Sequence, residues 1–307
     1  MPTHSVRERL DAKHLGQILP HEHLIIDYGM MDGRVNPVDE SLRRRCLDVL
    51  TALRKMGVGT IVDCTPPGYG RDLALLAELS AASGVSIVAS TGSFCEQWHH
   101  QPAEVQSAKA DELATKFIGE LTGAGGCGVI KAATSHGEIR PNEKKLLIAA
   151  AIAHRATSAP IVSHTTDGLG LEQLDHYEAQ GVDLTAVLVS HVCSGSEPFD
   201  YAVEIARRGA YVGLDRLGHG VHDIDHWIRL IEHLHSYGLL DRVLLSHDSV
   251  QRFTGPKKIA AHTFSEPTYL YQVFLPALER SGIREETWQL LTYENPRRWL
   301  LGERGTR

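Results

Sequence analysis

Apolar positions along this chain fall into two rhythms. Eight short runs are almost continuously apolar: 19–27, 59–63, 86–91, 128–132, 160–164, 186–191, 210–215 and 243–248. Runs of that length, rich in Val, Ile and Leu, are how strands buried on both faces of a parallel sheet read. Between them the apolar residues recur at helical spacing. Over 38–56, Leu42, Cys46, Val49, Leu50 and Leu53 share one face and Arg43, Arg44 and Arg45 are turned elsewhere. Asn142 is expected to cap a helix carrying Leu146, Leu147, Ala150, Ala151 and His154, with Glu143 in its first turn. Further helices are expected over 71–83, 103–121, 169–180, 198–208, 224–237, 267–281 and 285–301. Eight strands alternating with helices predict an α/β fold, a (β/α)8 TIM barrel. A doubly wound open sheet is the structural rival, but it would not gather the ends of strands one, four, five, six and eight around one mouth.

Composition changes this picture little. The 307 residues contain no Ser- or Pro-rich linker, no charge block and no low-complexity segment, so one domain spanning 1–307 is expected. A net charge of −7 argues against general nucleic-acid binding. Cys46, Cys64, Cys95, Cys127 and Cys193 lack CxxC spacing and read as small apolar residues in a reducing compartment. Neither an apolar signal region nor a run of membrane-spanning length is present, and the expected location is cytoplasmic.

The candidate chemistry sits on the strand-like runs. His21 and His23 are two residues apart in the first, so on an extended strand both rings share a face. Lys131, His164, His191 and Asp248 stand in four later runs, and a barrel would bring all six residues to one mouth. Four imidazoles and a carboxylate are ordinary ligands for divalent metals. Lysine is not, because an ammonium beside cations is opposed by charge repulsion and burial. As a neutral amine it can add carbon dioxide and become a carbamate, whose two oxygens can bridge two metals. Ser163 and Ser190 precede ligand histidines and should point away from the mouth, and Glu22 should face the opposite side from His21 and His23. The chain has no Gly-x-Ser-x-Gly elbow for a serine hydrolase. A class I aldolase would use Lys131 as a Schiff base, but leaves the histidines and Asp248 unexplained.

These motifs, in this order, resemble the phosphotriesterase family of the amidohydrolase superfamily over nearly the whole chain. The likeness runs through Leu15-Gly16, Leu19-Pro20-His21-Glu22-His23, Asp63, Gly70-Arg71-Asp72, Thr91-Gly92, Gly128–Ala133, Ser163-His164-Thr165 and His191. It continues through Gly213-Leu214-Asp215-Arg216, Leu245–Asp248, Glu294-Asn295-Pro296 and Trp299. The resemblance implies two divalent metals, zinc by expectation with cobalt or manganese able to substitute. His21, His23 and Asp248 would hold the more buried ion and His164 and His191 the more exposed one. Carboxylated Lys131 and a hydroxide would bridge them. Paired cations lower the pKa of a bridging water towards neutrality, and Asp248 could accept its proton. His219, His222 and His226 are candidate relays, with Asp215 as a partner.

Substrate-facing positions depart from the lactonases of the family. Those typically read Arg-Tyr-Gly where this chain has Arg216-Leu217-Gly218, and carry a tyrosine where this chain has Phe94. Trp98, in the segment 94–100, could line the same pocket. Arg216 favours an oxygen-rich substrate, whereas Phe94 and Leu217 make the mouth more apolar. The expected activity is hydrolysis of a lactone or carboxylic ester with side activity on organophosphotriesters. A phosphotriesterase proper or an N-acyl amide hydrolase is the alternative. The expected partners are small molecules, with no nucleic acid or membrane, in a homodimer.

Overall fold

The computed structural model describes residues 3–34, 36–97, 99–123, 126–166, 168–256 and 264–303. Its strands are β1 (Gln17–Asp27), β2 (Val58–Asp63), β3 (Ser86–Gly92), β4 (Val129–Ala133), β5 (Ile161–His164), β6 (Val187–Ser190), β7 (Tyr211–Leu214), β8 (Val243–Leu245) and β9 (Val250–Thr254). All pair in parallel, in the order β8-β7-β6-β5-β4-β3-β2-β1-β9. The eight expected strands are therefore nine among the described residues. The cause is a break at 246–249, which leaves β8 against β7 and carries the chain on as β9 against β1. Four residues span at most about 14 Å, yet they join the two edges of the sheet. The sheet must therefore curl on itself into a barrel-like arrangement. Asp248 N–H donates to the His21 carbonyl at 3.1 Å across the join.

Alternation along the strands separates two cores. Ile18, Val62, Val88, Val129, Val162, Leu188, Tyr211 and Leu244, one from each of β1 to β8, form an inner cluster closed by Trp299 and Leu300. Their neighbours Leu19, Ile61, Ile87, Ile130, Ile161, Val187, Val212 and Val243 belong to the outer cluster, which packs against the helices. Leu42, Cys46, Leu50 and Leu53 of helix α1 (Glu40–Lys55) are buried in it, as their spacing predicts. Inner-face positions beyond the apolar layer are where polar side chains can meet.

Two helix starts differ from expectation. Helix α5 (Pro141–Thr157) is capped by Arg140, not Asn142. Pro141 needs no N–H partner at the first position, and Glu143 reaches back to accept Arg140 N–H at 3.0 Å. The single helix expected over 103–121 is two, α3 (Ala103–Ser107) and α4 (Ala110–Thr122). Glu112 accepts Lys109 N–H at 2.8 Å and so caps a fresh start. Helices α2 (Leu73–Ser83), α6 (Gly170–Ala179), α7 (Phe199–Arg207) and α8 (Ile224–Ser236) fall where predicted. No described helix is long and apolar enough to cross a membrane.

Candidate metal centre

The inner face of the sheet continues directly into the polar cluster. Lys131 stands two residues beyond Val129, and His164 two beyond Val162, so both share the face of the inner core. In β1, Pro20 cannot donate to the ladder, and the β1–β2 register shifts between Leu19 and Glu22. That irregularity turns His21 and His23 to the cavity and Glu22 to the back. Gly92 has φ +101°, and a Cβ there would lie 1.8 Å from the Lys131 carbonyl oxygen, so only glycine lets β3 close on Lys131. His191 and Asp248 both have left-handed backbones, at φ +63° and +54°. Such angles are uncommon away from glycine and collect at functional sites.

The structure brings all six predicted residues together. His21 Nε2 and His23 Nε2 lie 3.6 and 3.4 Å from Asp248 Oδ1, and His191 Nε2 lies 3.8 Å from Asp248 Oδ2. Lys131 Nζ is 2.9 Å from His21 Nε2, and His191 Nε2 is 2.8 Å from His164 Nδ1. Each imidazole of His21, His23 and His191 is turned by a partner on its far nitrogen. His21 Nδ1 and His191 Nδ1 lie 2.7 and 2.8 Å from the two oxygens of Asp215, and His23 Nδ1 lies 2.8 Å from Thr65 Oγ1. A carboxylate accepting from Nδ1–H leaves the Nε2 lone pair facing the cavity, the arrangement that orients metal-binding histidines.

Electrostatics support the same protonation states. Burial pushes His191 down to about 3, with the Arg216 charge adding to the effect. Burial also lowers His21, helped by Lys131, and holds His164 well below its ordinary value, helped by His191. Burial would raise the Asp215 and Asp248 carboxyls, but the surrounding histidines hold both well below the usual carboxylate range. Neutral imidazoles beside ionised carboxylates are a donor set ready for a cation. The ligand atoms of His21, His23 and Asp248 all fall within 4.8 Å of one another. Lys131 is buried with no carboxylate in ion-pair range among the described residues, a costly state for an ammonium. The residues present therefore fit divalent metal.

Asp215 accepts from His21, His191 and the His191 backbone N–H, and none of these bonds links it to His219, His222 or His226. Of the three relay candidates, His219 lines the cavity, with Nε2 2.5 Å from the His247 carbonyl. His222 and His226 stack at 3.7 Å and donate to the carbonyls of Gly195 and Cys193, bracing the loop after β6. Ser163 points away as expected and donates to Gln173 on α6.

Above the cluster lies a cavity of about 290 Å³. Phe94 and Arg216 line it. Phe94 is 5.8 Å from the His23 ring, and Arg216 Nε is 3.8 Å from Asp248 Oδ2. Leu217 does not line it: the side chain is fully buried in the outer core, because the residue after Arg216 turns inward. Trp98 lies outside the described residues. Sequence reasoning missed Tyr28, which closes the wall with Tyr69, Phe94 and Phe253. The signal for it was position alone, one residue past the end of β1.

The phosphotriesterase family profile matches residues 1–300. The chain is 33% identical over 291 residues to the phosphotriesterase homology protein of Escherichia coli K12, covering 92% of this chain and 96% of that one. It is 29% identical to the aryldialkylphosphatase of Saccharolobus solfataricus, covering 96% and 98%. The organophosphorus hydrolase of Deinococcus radiodurans superimposes with a TM-score of 0.88 at 30% identity, covering 98% of this chain and 97% of that one.

Proposed function

Because the chain belongs to the phosphotriesterase family and is a metal-dependent hydrolase acting on esters, we propose that its main substrate is a lactone or another carboxylic ester, with weak organophosphotriester cleavage beside it. The observation carrying this reading is Arg216, whose guanidinium stands at the cavity next to Asp248. There it can orient a substrate oxygen while the carbonyl faces the cluster. His21, His23 and Asp248 would hold one ion and His164 and His191 the other, with Lys131 as a bridging carbamate and zinc as the expected metal. Metal bound there supplies a hydroxide near neutral pH and a Lewis acid for the scissile oxygen. Asp248 accepts the proton released on attack. His219, on the cavity wall, takes it outward. Asp215 and Thr65 hold the imidazoles in place, and Phe94, Tyr28 and Phe253 exclude water.

Organophosphotriester hydrolysis as the main activity is the second reading. The apolar wall of Ile26, Tyr28, Phe94, Phe253 and Phe264 favours it, as does the 29% identity to an aryldialkylphosphatase. A hydrolysis screen of metal-reconstituted protein across lactones, simple esters, N-acyl amides and phosphotriesters separates the readings. The lactone or ester reading expects the highest kcat/KM in those two classes. A phosphotriester value well above every lactone and ester would reverse the order.

A further inference from the structure

Glu22 stands between His21 and His23, fully buried on the back of β1 and out of reach of the cavity. Its carboxylate collects five donors, all from residues 246–249. Oε1 accepts the Ser246 hydroxyl at 2.7 Å, His247 N–H at 2.8 Å and His247 Nδ1–H at 3.0 Å. Oε2 accepts Ser249 N–H at 3.0 Å and the Ser249 hydroxyl at 2.5 Å. The one residue of the segment that Glu22 does not touch is Asp248, which faces the opposite way with φ +54°. Left-handed backbone is strained for a residue with a Cβ and persists where its surroundings over-determine it. Here both flanking N–H groups end on one carboxylate, Asp248 N–H is held by the His21 carbonyl, and His23 N–H is held by the Ser249 carbonyl. His247 Nε2 accepts Leu270 N–H at 2.9 Å, which ties the turn to the C-terminal helices as well.

We propose that Glu22 is a positioning residue that fixes the turn 246–249 and thereby sets the Asp248 carboxylate against His21 and His23. The same segment of β1 thus supplies two imidazoles from one face and the clamp on their carboxylate partner from the other. A carboxylate suits the task because it is acceptor-only, and its two oxygens offer about four lone-pair sites that the five donors share. Glutamine at this position keeps the shape but turns an NH2 towards N–H and O–H donors. This inference rests on the reading of His21, His23 and Asp248 as metal ligands.

The test uses full-length apoprotein reconstituted with cobalt(II). Glu22→Gln is expected to release cobalt to a chelator about 10–100-fold faster than wild type, the range for losing an outer partner of a ligand. Its visible absorption bands should also change, reporting altered ligand geometry. Ser249→Ala, which removes one of the five donors, should shift both readouts the same way by a smaller factor. Asn295→Ala serves as comparator: it removes buried bonds to the Leu240 and Val243 carbonyls, away from the turn, and should lower Tm with cobalt spectrum and release unchanged. Wild-type spectrum and release in Glu22→Gln would overturn the proposal, as would an equal change in Asn295→Ala. If Glu22→Gln does not fold, wild-type behaviour in Ser249→Ala overturns it. A wild-type protein that takes up no cobalt would instead refute the metal reading, and this inference with it.

Discussion

The polar cluster and the aromatic wall face each other across one cavity, and they are held by different forces. His21, His23, Lys131 and His164 are carried by strands, and His191 directly follows one. His21, His23 and His191 each have a hydrogen-bonded partner on the far nitrogen. Tyr28, Tyr69 and Phe94 meet at ring distances of 4.6–6.1 Å, held by packing, with one hydroxyl contact from Tyr69 to Ser93. Directional bonds specify an angle, whereas dispersion between rings specifies a volume and tolerates rearrangement. The cluster is therefore held by angle-specific bonds, and the wall mainly by packing.

Removing the cluster's centre should have the largest effect. Lys131→Ala is expected to lose bound metal and more than about a hundredfold in activity, beyond the loss expected from removing an outer partner. Added short carboxylic acids should restore part of it. Elemental analysis showing two metals per chain in the variant would break the distinction between cluster and wall.

Asp215→Asn tests whether the cluster depends on its orienting partners. An amide can accept from only one of the two Nδ1–H groups, so metal affinity should fall about 10–100-fold. Competition with a chromophoric chelator measures it, and wild-type affinity would mean that packing alone holds the rings.

Acid should damage the metal-free cluster and spare the wall. His191 is held near 3 in the folded protein against an ordinary value of 6.5, and His21 and His164 are lowered too. The unfolded chain then binds protons that the folded chain refuses. Stability should therefore fall as pH drops from about 6.5 towards 3, by up to about 1.4 kcal/mol per pH unit for each histidine. Asp215 and Asp248 act in the same direction further down, because their stabilisation is lost as pH falls from the ordinary carboxylate value through their lower folded values. Urea midpoints of apoprotein that stay level between pH 7 and 5 would contradict this.

The wall should respond least and most selectively. Tyr28→Phe removes one hydroxyl from the lining and should leave metal content intact. The expected shift is a few-fold in the ratio of lactone to phosphotriester kcat/KM, below the roughly 10–200-fold that a whole pocket contact can discriminate. A loss equal to that of Asp215→Asn would place Tyr28 in the cluster instead.

Strand and helix alternation and all six cluster residues were legible in the chain, for a common reason. Periodicity and ligand chemistry are local properties: a run of Val and Ile reports a strand, and His-x-His reports two rings on one face. The helix start at Arg140 was misread because Asn142 is a better capping residue than arginine, while the reach of Glu143 and the proline at 141 decide the matter in three dimensions. The ninth strand was not legible because Val250–Thr254 mixes polar with apolar residues and follows the polar turn Ser246–Ser249, where Asp248 changes hand at φ +54° and carries the chain onto β1.

The sequence by itself determined which groups could do chemistry and on which elements they ride, since residue type and spacing are written in it directly. Tertiary structure alone decided that Asp215 orients two histidines 194 and 24 residues away. It also decided that Leu217 turns into the core and that Tyr28 joins Phe94 at the cavity. Those are contacts between side chains distant along the chain. Their geometry depends on how the curled sheet brings strand ends together, which no local pattern encodes.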